Sequence, residues 1–252
     1  MEWIIVSLAS LFAGFVDAIV GGGGLILVPA LFAVYPNAAP ATLFGTNKTG
    51  SIWGTSFSAW KYARRVRFKW IVILPAVAAA FGGSMLGSWA VTVASADILR
   101  KALPFVLLGV LVYTLAKKDL GQHHRPLGDT RRELALACAI GLLIGFYDGF
   151  FGPGTGSFFV FAFVRLLGYD FLNASANAKL LNIATNLASI LLLGFKGYIW
   201  WHLTIALALA NIAGSLLGTH MALKYGSGFV RWIFVAVVSV LIARTAWDAF
   251  LR

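Results

Sequence analysis

The sequence predicts an all-α, polytopic membrane protein, and three observations carry that prediction. Apolar residues fill 60% of the 252 positions and charged residues only 12%, whereas a soluble domain carries about a quarter charged residues. The apolar surplus runs through nearly the whole chain. At roughly 20 apolar residues per spanning helix it makes about eight membrane spans, and no soluble catalytic domain fits beside them. The third observation is an ungapped internal repeat. Gly14-Phe15-Val16-Asp17 returns as Gly145-Phe146-Tyr147-Asp148, and the same displacement of 131 positions carries Gly21 to Gly152, Gly23 to Gly154, Lys48 to Lys179, Trp70 to Trp201 and Arg100 to Arg231. Apolar residues would match by chance in so greasy a chain; Asp, Lys, Trp and Arg would not.

The repeat divides the chain into a first transmembrane repeat at 1–118, a cytoplasmic linker at 119–131 and a second transmembrane repeat at 132–252. Each repeat holds four apolar segments: 3–35, 41–60, 70–93 and 98–116, then 133–167, 172–193, 199–223 and 229–250. The second to fourth suit one span each. The first is too long, because a helix of that length reaches about 50 Å against roughly 30 Å of hydrocarbon. It is also interrupted, by Gly21-Gly22-Gly23-Gly24 in one repeat and Gly152-Pro153-Gly154-Thr155-Gly156 in the other. Glycine does not hold a helical backbone and proline removes an amide donor. Each first segment is therefore either a broken, tilted helix or a hairpin that turns at the glycines. A hairpin gives five crossings per half and makes the halves inverted repeats, a common transporter plan; a tilted helix gives four.

The net charge of +11 sits where a membrane protein places it. Lys61, Arg64, Arg65, Arg67 and Lys69 lie together between apolar runs, as do Lys117, Lys118, Arg125, Arg131 and Arg132. Such clusters are the positive-inside signal and attract anionic lipid; they do not read as a nucleic-acid surface. Either topology places them in the cytoplasm. The two disagree about the termini and Lys196. The one cysteine, Cys138, excludes an internal disulfide. The first apolar run follows Met1-Glu2 with no basic residue before it, so it reads as a retained helix and not a secretory signal.

Irregular backbone at membrane depth is tolerated only where it is buried in protein or lines a polar cavity, which makes the two breaks the first candidate site. Amides at Gly23, Gly24, Gly154, Thr155 and Gly156 stand at the start of the following helix, where the dipole adds partial positive charge and suits an anion. The other reading is that the glycines only let helices approach closely. The second segments add a sharper pattern. Lys48, Ser51, Thr55 and Ser58 are spaced for one helix face, and Lys179, Asn182, Asn186 and Ser189 repeat the spacing. Thr46, Asn47, Asn173 and Asn177 add polar groups nearby. A lysine in a membrane helix costs about 2.5–3.5 kcal/mol on insertion scales and marks a pathway or a pair, unless it snorkels to the surface.

Asp17 and Asp148 are the only acids deep in apolar runs. They are either proton-carrying carboxylates or structural acids that neutralise a lysine or cap the break. Ser84, Asn211 and Ser215 read as interhelical hydrogen bonders, and Arg244 with Asp248 as an interfacial pair. His123-His124 has no further spaced ligands, so no metal site is expected. Nor is an enzyme: no nucleophile stands beside a base, no Walker loop is present, and neither aspartate has the glycine context of an intramembrane aspartyl protease. No cofactor is implied.

The run from Gly14 to Leu25 with Leu27-Val28-Pro29-Ala30-Leu31 behind it, Gly45-Thr46-Asn47-Lys48 followed by Ser58-Ala59-Trp60, the run from Gly145 to Gly156, and Asn177-Ala178-Lys179-Leu180-Leu181-Asn182 together resemble the sulfite exporter TauE/SafE family. The resemblance covers both repeats. It implies a bacterial inner-membrane transporter of anionic sulfur compounds such as sulfite, thiosulfate or organosulfonates, without fixing substrate or direction. The expectation is a secondary transporter of a small anion working by alternating access around a central site. Break amides would hold anionic oxygens, Lys48 and Lys179 would balance charge, and Ser51, Asn47, Asn177 and Asn182 would supply side-chain donors. Its partners would be the anion, the bilayer and protons as coupling ion, with no nucleic acid and an oligomeric state left open. A passive anion channel or a membrane-assembly factor is the alternative.

Overall fold

A computed structural model describes residues 1–116 and 125–225, with isolated positions at 239, 242–243, 246–247 and 249–250. Lys117, Lys118, His123, His124, Arg231, Arg244, Asp248 and most of the segment expected at 229–250 lie outside the described residues. Within them the chain is all helical: α1 (Glu2–Val20), α2 (Gly24–Val34), α3 (Pro40–Ala63), α4 (Trp70–Val93), α5 (Ala96–Ala116), α6 (Thr130–Phe150), α7 (Thr155–Leu167), α8 (Phe171–Phe195) and α9 (Trp201–Tyr225). Local chemistry sets several starts. Pro40 occupies the first turn of α3, where its missing amide costs nothing. The Asp129 and Asp170 carboxylates accept backbone amides at the starts of α6 and α8.

Five of these helices, Glu2–Ile19, Trp70–Val93, Thr130–Phe150, Phe171–Phe195 and Trp201–Ala222, are long and apolar enough to cross a membrane. Of the roughly eight spans expected from the sequence, these five have the length and apolar character of a span among the described residues. α3 has the length, at 24 residues, but its lysine, threonines, serines and glycines dilute its apolar character. α5 carries Asp97, Arg100 and Lys101 in its first two turns. The surface fits a bilayer: Leu74, Leu86, Phe105, Leu143, Ile205 and Leu209 point outward, while Lys48, Asn47, Asn177, Lys179 and Asn186 are buried. Tryptophans at 3, 60, 70 and 201 stand exposed near helix ends, as in an interfacial aromatic belt.

The first segment of each half turns back on itself. α1 ends on Gly21, whose φ of 77° is a left-handed conformation that favours glycine. Two residues on, Gly23 lies against the Ala13 carbonyl and the Asp17 side chain. α2 then retraces α1, and its 11 residues, about 16 Å of helix, bring Tyr35 within electrostatic reach of Glu2; burial and then that carboxylate push the Tyr35 phenol up. In the second half the chain turns at Gly152 and Gly154 (φ 89° and 82°). α7 returns to the start of α6, where the Leu127 amide donates to the Leu167 carbonyl at 3.3 Å and the Tyr169 hydroxyl donates to Glu133.

The two hairpins open toward opposite ends of the molecule. At one end the α1–α2 hairpin meets the start of α9, with Tyr35 edge-on to Trp200 at 4.9 Å, and Lys196 donates to Thr92 at 2.7 Å. At the other, Lys69 bonds Thr130 at 2.9 Å and Glu133 at 2.8 Å, beside the open end of α6–α7. Long helices cross between halves. α4 packs along α6, and α9 along α1. Small residues permit these approaches. A side-chain carbon on Gly83 or Gly87 would overlap the Leu142 or Phe146 carbonyl of α6, and one on Gly214 or Gly218 would overlap the Leu11 or Phe15 carbonyl of α1.

Leucine at Gly87 or Gly218 should accordingly lower stability by at least the 1–3 kcal/mol typical of an overpacked core. Leucine at Gly82, which faces open space, should leave it nearly unchanged. Thermal midpoints of the detergent-purified variants check this, and equal midpoints for Gly82→Leu and Gly87→Leu would refute it.

Candidate functional site

The hairpin turns bring the two glycine breaks against each other at the centre. Gly21 and Gly156 stand back to back with no room for a side chain on either, and the Ser157 amide donates to the Gly21 carbonyl at 3.1 Å. Gly24 faces Pro153. Around this crossing run α3 and α8, which pack on each other, each delivering a lysine eight or nine residues from its start.

Neither lysine snorkels. Lys48, 2% exposed, reaches from α3 to the opposite half and pairs with Asp148 at 2.6 Å. Lys179 reaches from α8 the other way: its ammonium donates to the Asp17 backbone carbonyl at 3.0 Å and stands 3.8 Å from that residue's carboxylate. Asp17 also accepts from Thr55 Oγ1 at 3.2 Å and from the Gly23 amide at 3.5 Å. Two cations and two anions thus meet at this centre, each pair made across the halves. A buried ion is tolerated only with a partner, and here each partner comes from the other end of the sequence.

Between the pairs lies a polar cavity of about 20 Å³, enough for about one water. It is too small for a four-atom oxyanion. Of the residues expected in a site, Gly24, Asn47, Lys48, Ser51, Thr155, Gly156 and Asn182 line it together with Asp17 and Asp148. The others stand apart. Lys179 borders a second, smaller cavity of about 10 Å³, beside Asp17, Gly156, Ser175 and Asn182. Gly23 is turned to Ala13, Gly154 to Val110 of α5, and the Asn177 amide is spent on the Asn173 carbonyl at 2.7 Å.

The polar stripes divide their labour along each helix. Lys48, Ser51 and Thr55 face the cavity, but Ser58 bonds Ser215 and Thr219 of α9 at 2.5 and 3.1 Å. On α8, Asn182 and Asn186 face it, while Ser189 bonds Ser84 and Ser88 of α4 at 3.0 and 2.8 Å. Ser84, Asn211 and Ser215 all make interhelical bonds, to Thr185, Ser10 and Gly54 carbonyls. Two tyrosines were missed by sequence reasoning. The Tyr62 hydroxyl donates to the Ala18 carbonyl at 3.0 Å and the Tyr147 hydroxyl to the Pro153 carbonyl at 2.6 Å, each fixing backbone at a break. Tyr62 was findable, because it lies four residues beyond Ser58 and continues the stripe. Ser175, buried in the smaller cavity, gave no sequence signal.

A closed polar centre inside an apolar helical shell, with charge pairs bridging two hairpins, is the build of a membrane transporter. Comparison with known proteins gives the family: residues 6–245 match the sulfite exporter TauE/SafE family, and the chain belongs to it. The chain is 34% identical over 243 residues to a probable membrane transporter protein, ORF9, of Sinorhizobium sp, covering 95% of this chain and 90% of that protein. It is 35% identical over 242 residues to the probable membrane transporter protein YfcA of Escherichia coli strain K12, covering 95% and 88%. A more distant relative, the probable membrane transporter protein YjnA of Bacillus subtilis, is 27% identical over 253 residues, covering 90% and 94%. No solved structure matches the chain. This is a multi-pass membrane protein of a transporter family, not an enzyme.

Removing one partner of a buried ion pair costs about 3–5 kcal/mol, while replacing both by apolar residues of similar volume costs far less. Lys48→Met should therefore reduce, without abolishing, the yield of monodisperse protein, and Lys48→Met with Asp148→Leu should restore most of it. Size-exclusion profiles decide, and a double variant no better than the single one would show that the pair is not the cause.

Proposed function

We propose that the protein is a secondary transporter of a small, sulfur-containing anion such as sulfite, thiosulfate or an organosulfonate, working by alternating access in the bacterial inner membrane. One observation carries the reading: two buried lysines converge from opposite halves on the crossing of two broken hairpins. Family membership supports the choice of cargo. Lys48 and Lys179 would exchange their aspartates for the anion's oxygens, with Asn47, Ser51, Thr155 and Asn182 as neutral donors and the Gly24 and Gly156 amides closing the site. Because a net charge in a low-dielectric centre is costly, an arriving anion favours an arriving proton, which makes protons the coupling ion.

The same reading takes the halves as inverted repeats. The matched sequences, the hairpins opening to opposite ends and the paired contacts α4 on α6 and α9 on α1 all support it. Inverted repeats rocking about a fixed centre would open the cavity to each side in turn. The basic cluster at 61–69 would then face the cytoplasm and Lys196 the outside.

Two measurements test the proposal. In a Cys138→Ala background, Lys196→Cys should react with an impermeant thiol reagent in whole cells and Arg65→Cys should react only after permeabilisation; the reverse pattern would overturn the topology. In proteoliposomes with an imposed pH gradient, radiolabelled sulfite or thiosulfate should accumulate above equilibrium, and Lys48→Gln should abolish this. Flux that only equilibrates would favour a passive channel, and no flux of sulfite, thiosulfate, taurine or sulfoacetate would remove the cargo assignment.

A further inference from the structure

The two aspartates occupy matched positions but are held very differently. Both oxygens of Asp17 have donors besides the lysine: the Gly23 amide at 3.5 Å on Oδ1 and the Thr55 hydroxyl at 3.2 Å on Oδ2. Asp148 has Lys48 on Oδ1 at 2.6 Å; its buried Oδ2 has no hydrogen-bond partner among the described residues. The residues displaced by 131 positions from Asp17's donors do not serve Asp148. Asn186, which matches Thr55, directs its amide to Asn182 Oδ1 at 3.4 Å. Gly154, which matches Gly23, lies against Val110.

We propose that Asp148 alone carries the coupling proton, and that Asp17 is a fixed anchor that stays ionised through the cycle. This rests on the anion-transport reading of the same site and divides two acids that the sequence makes look equivalent. The argument turns on what each carboxylate keeps when its lysine is taken. An anion that claims Lys179 leaves Asp17 bonded to Thr55 and to a backbone amide. An anion that claims Lys48 leaves Asp148 buried with no donor at all, a state in which a carboxylate takes a proton. That proton exchanges with water through the central cavity, which Asp148 lines and which has room for about one water. It is bound to a carboxyl oxygen while the anion occupies Lys48, and it returns to water when the anion leaves and Lys48 closes on the carboxylate. For a monoanion such as hydrogensulfite the charge of the centre is the same before and after; a dianion such as thiosulfate, arriving with one proton, leaves it one unit more negative while bound.

The groups around Asp148 leave few competitors for that proton. α3 presents Lys48, with Asp17 of α1 acting on that lysine from beyond. Tyr147 of its own helix is occupied with the Pro153 carbonyl. α4 presents Ser88, whose hydroxyl donates to the neighbouring Gly149 carbonyl at 3.4 Å, and α8 presents Asn182 and Asn186, none of which titrates; α7 presents Thr155, whose hydroxyl is bound to the Gly152 carbonyl at 2.8 Å.

Substitution of each lysine by glutamine mimics its loss to an anion and needs no substrate. Infrared titration of purified Lys48→Gln protein should show a protonated carboxylic-acid band at neutral pH that vanishes when Asp148→Asn is added and persists when Asp17→Asn is added. Lys179→Gln should show no such band. A band in both lysine variants, in neither, or one removed by Asp17→Asn would overturn the proposal. Should the added Asp148→Asn prevent folding, Asp148→Glu in the Lys48→Gln protein must shift the band, and an unshifted band counts against Asp148. In proteoliposomes, Asp148→Asn should exchange thiosulfate across the membrane yet lose accumulation driven by a pH gradient, at least tenfold, whereas Asp17→Asn should stay gradient-responsive at reduced rate. Absence of any thiosulfate or sulfite flux in the unsubstituted protein would sink the anion reading, while the infrared result would still decide which acid takes the proton.

Discussion

The fold is organised by a reciprocal exchange of charge. Each half of the chain buries a lysine it cannot neutralise and an aspartate that answers the lysine of the other half. Two uncompensated charges at that depth would each cost several kcal/mol, so neither half is electrostatically complete alone. The hairpins follow from the same constraint. An acid one turn before a glycine break and a lysine two turns into the neighbouring long helix can meet across the centre only if the breaks touch. They touch because Gly21 and Gly156 carry no side chains.

If this centre binds the proposed anion, its selectivity would be built in. Its donors belong to rigid helices and to backbone pinned by Tyr62 and Tyr147, so the geometry presented to a guest does not depend on loop motion. Its cavity has space for about one water, so a larger guest requires the helices around it to move. Serine and threonine pairs tie α3 to α9 and α8 to α4 farther along the same stripes. These contacts make each lysine-bearing helix part of a larger block, so movement at the centre involves whole groups of helices.

Much of this was legible in the chain. Composition alone gave the membrane class, and matched polar residues in an apolar background exposed the pairing of Lys48 with Lys179 and Asp17 with Asp148. Helical spacing put Lys48, Ser51 and Thr55 on one face, where they are found lining the cavity. Other features depended on information a single chain does not carry. Hairpin and tilted helix have the same composition, and only the packing of α2 back on α1 and the return of Leu167 to Leu127 distinguish them. Which lysine meets which aspartate was invisible, since partners lie 100 and 162 positions apart. Gly23 and Gly154 read as site residues because they sit in the breaks. Gly24 and Gly156 read the same way, and a displacement of one residue along the first turn and two along the second decided that they line the cavity while Gly23 and Gly154 do not. α3 is a different case: the sequence counts its segment as a span by length, while the polar groups that build the centre leave it less apolar than the five span candidates.

The crossing of α1 with α9 also has a consequence for how the molecule is made. Ser10 donates to a carbonyl 197 positions later, and the glycine face of α9 has its complement in α1. At ribosomal rates of about 5–20 residues per second, α1 waits roughly 10–40 seconds for the helix it is shaped to fit. During that interval Asp17 lacks Lys179, and the α1–α2 hairpin must be sheltered by the insertion machinery or remain near the lipid–water boundary. Biogenesis, and not only the finished structure, thus depends on the second half arriving before the first is lost to degradation.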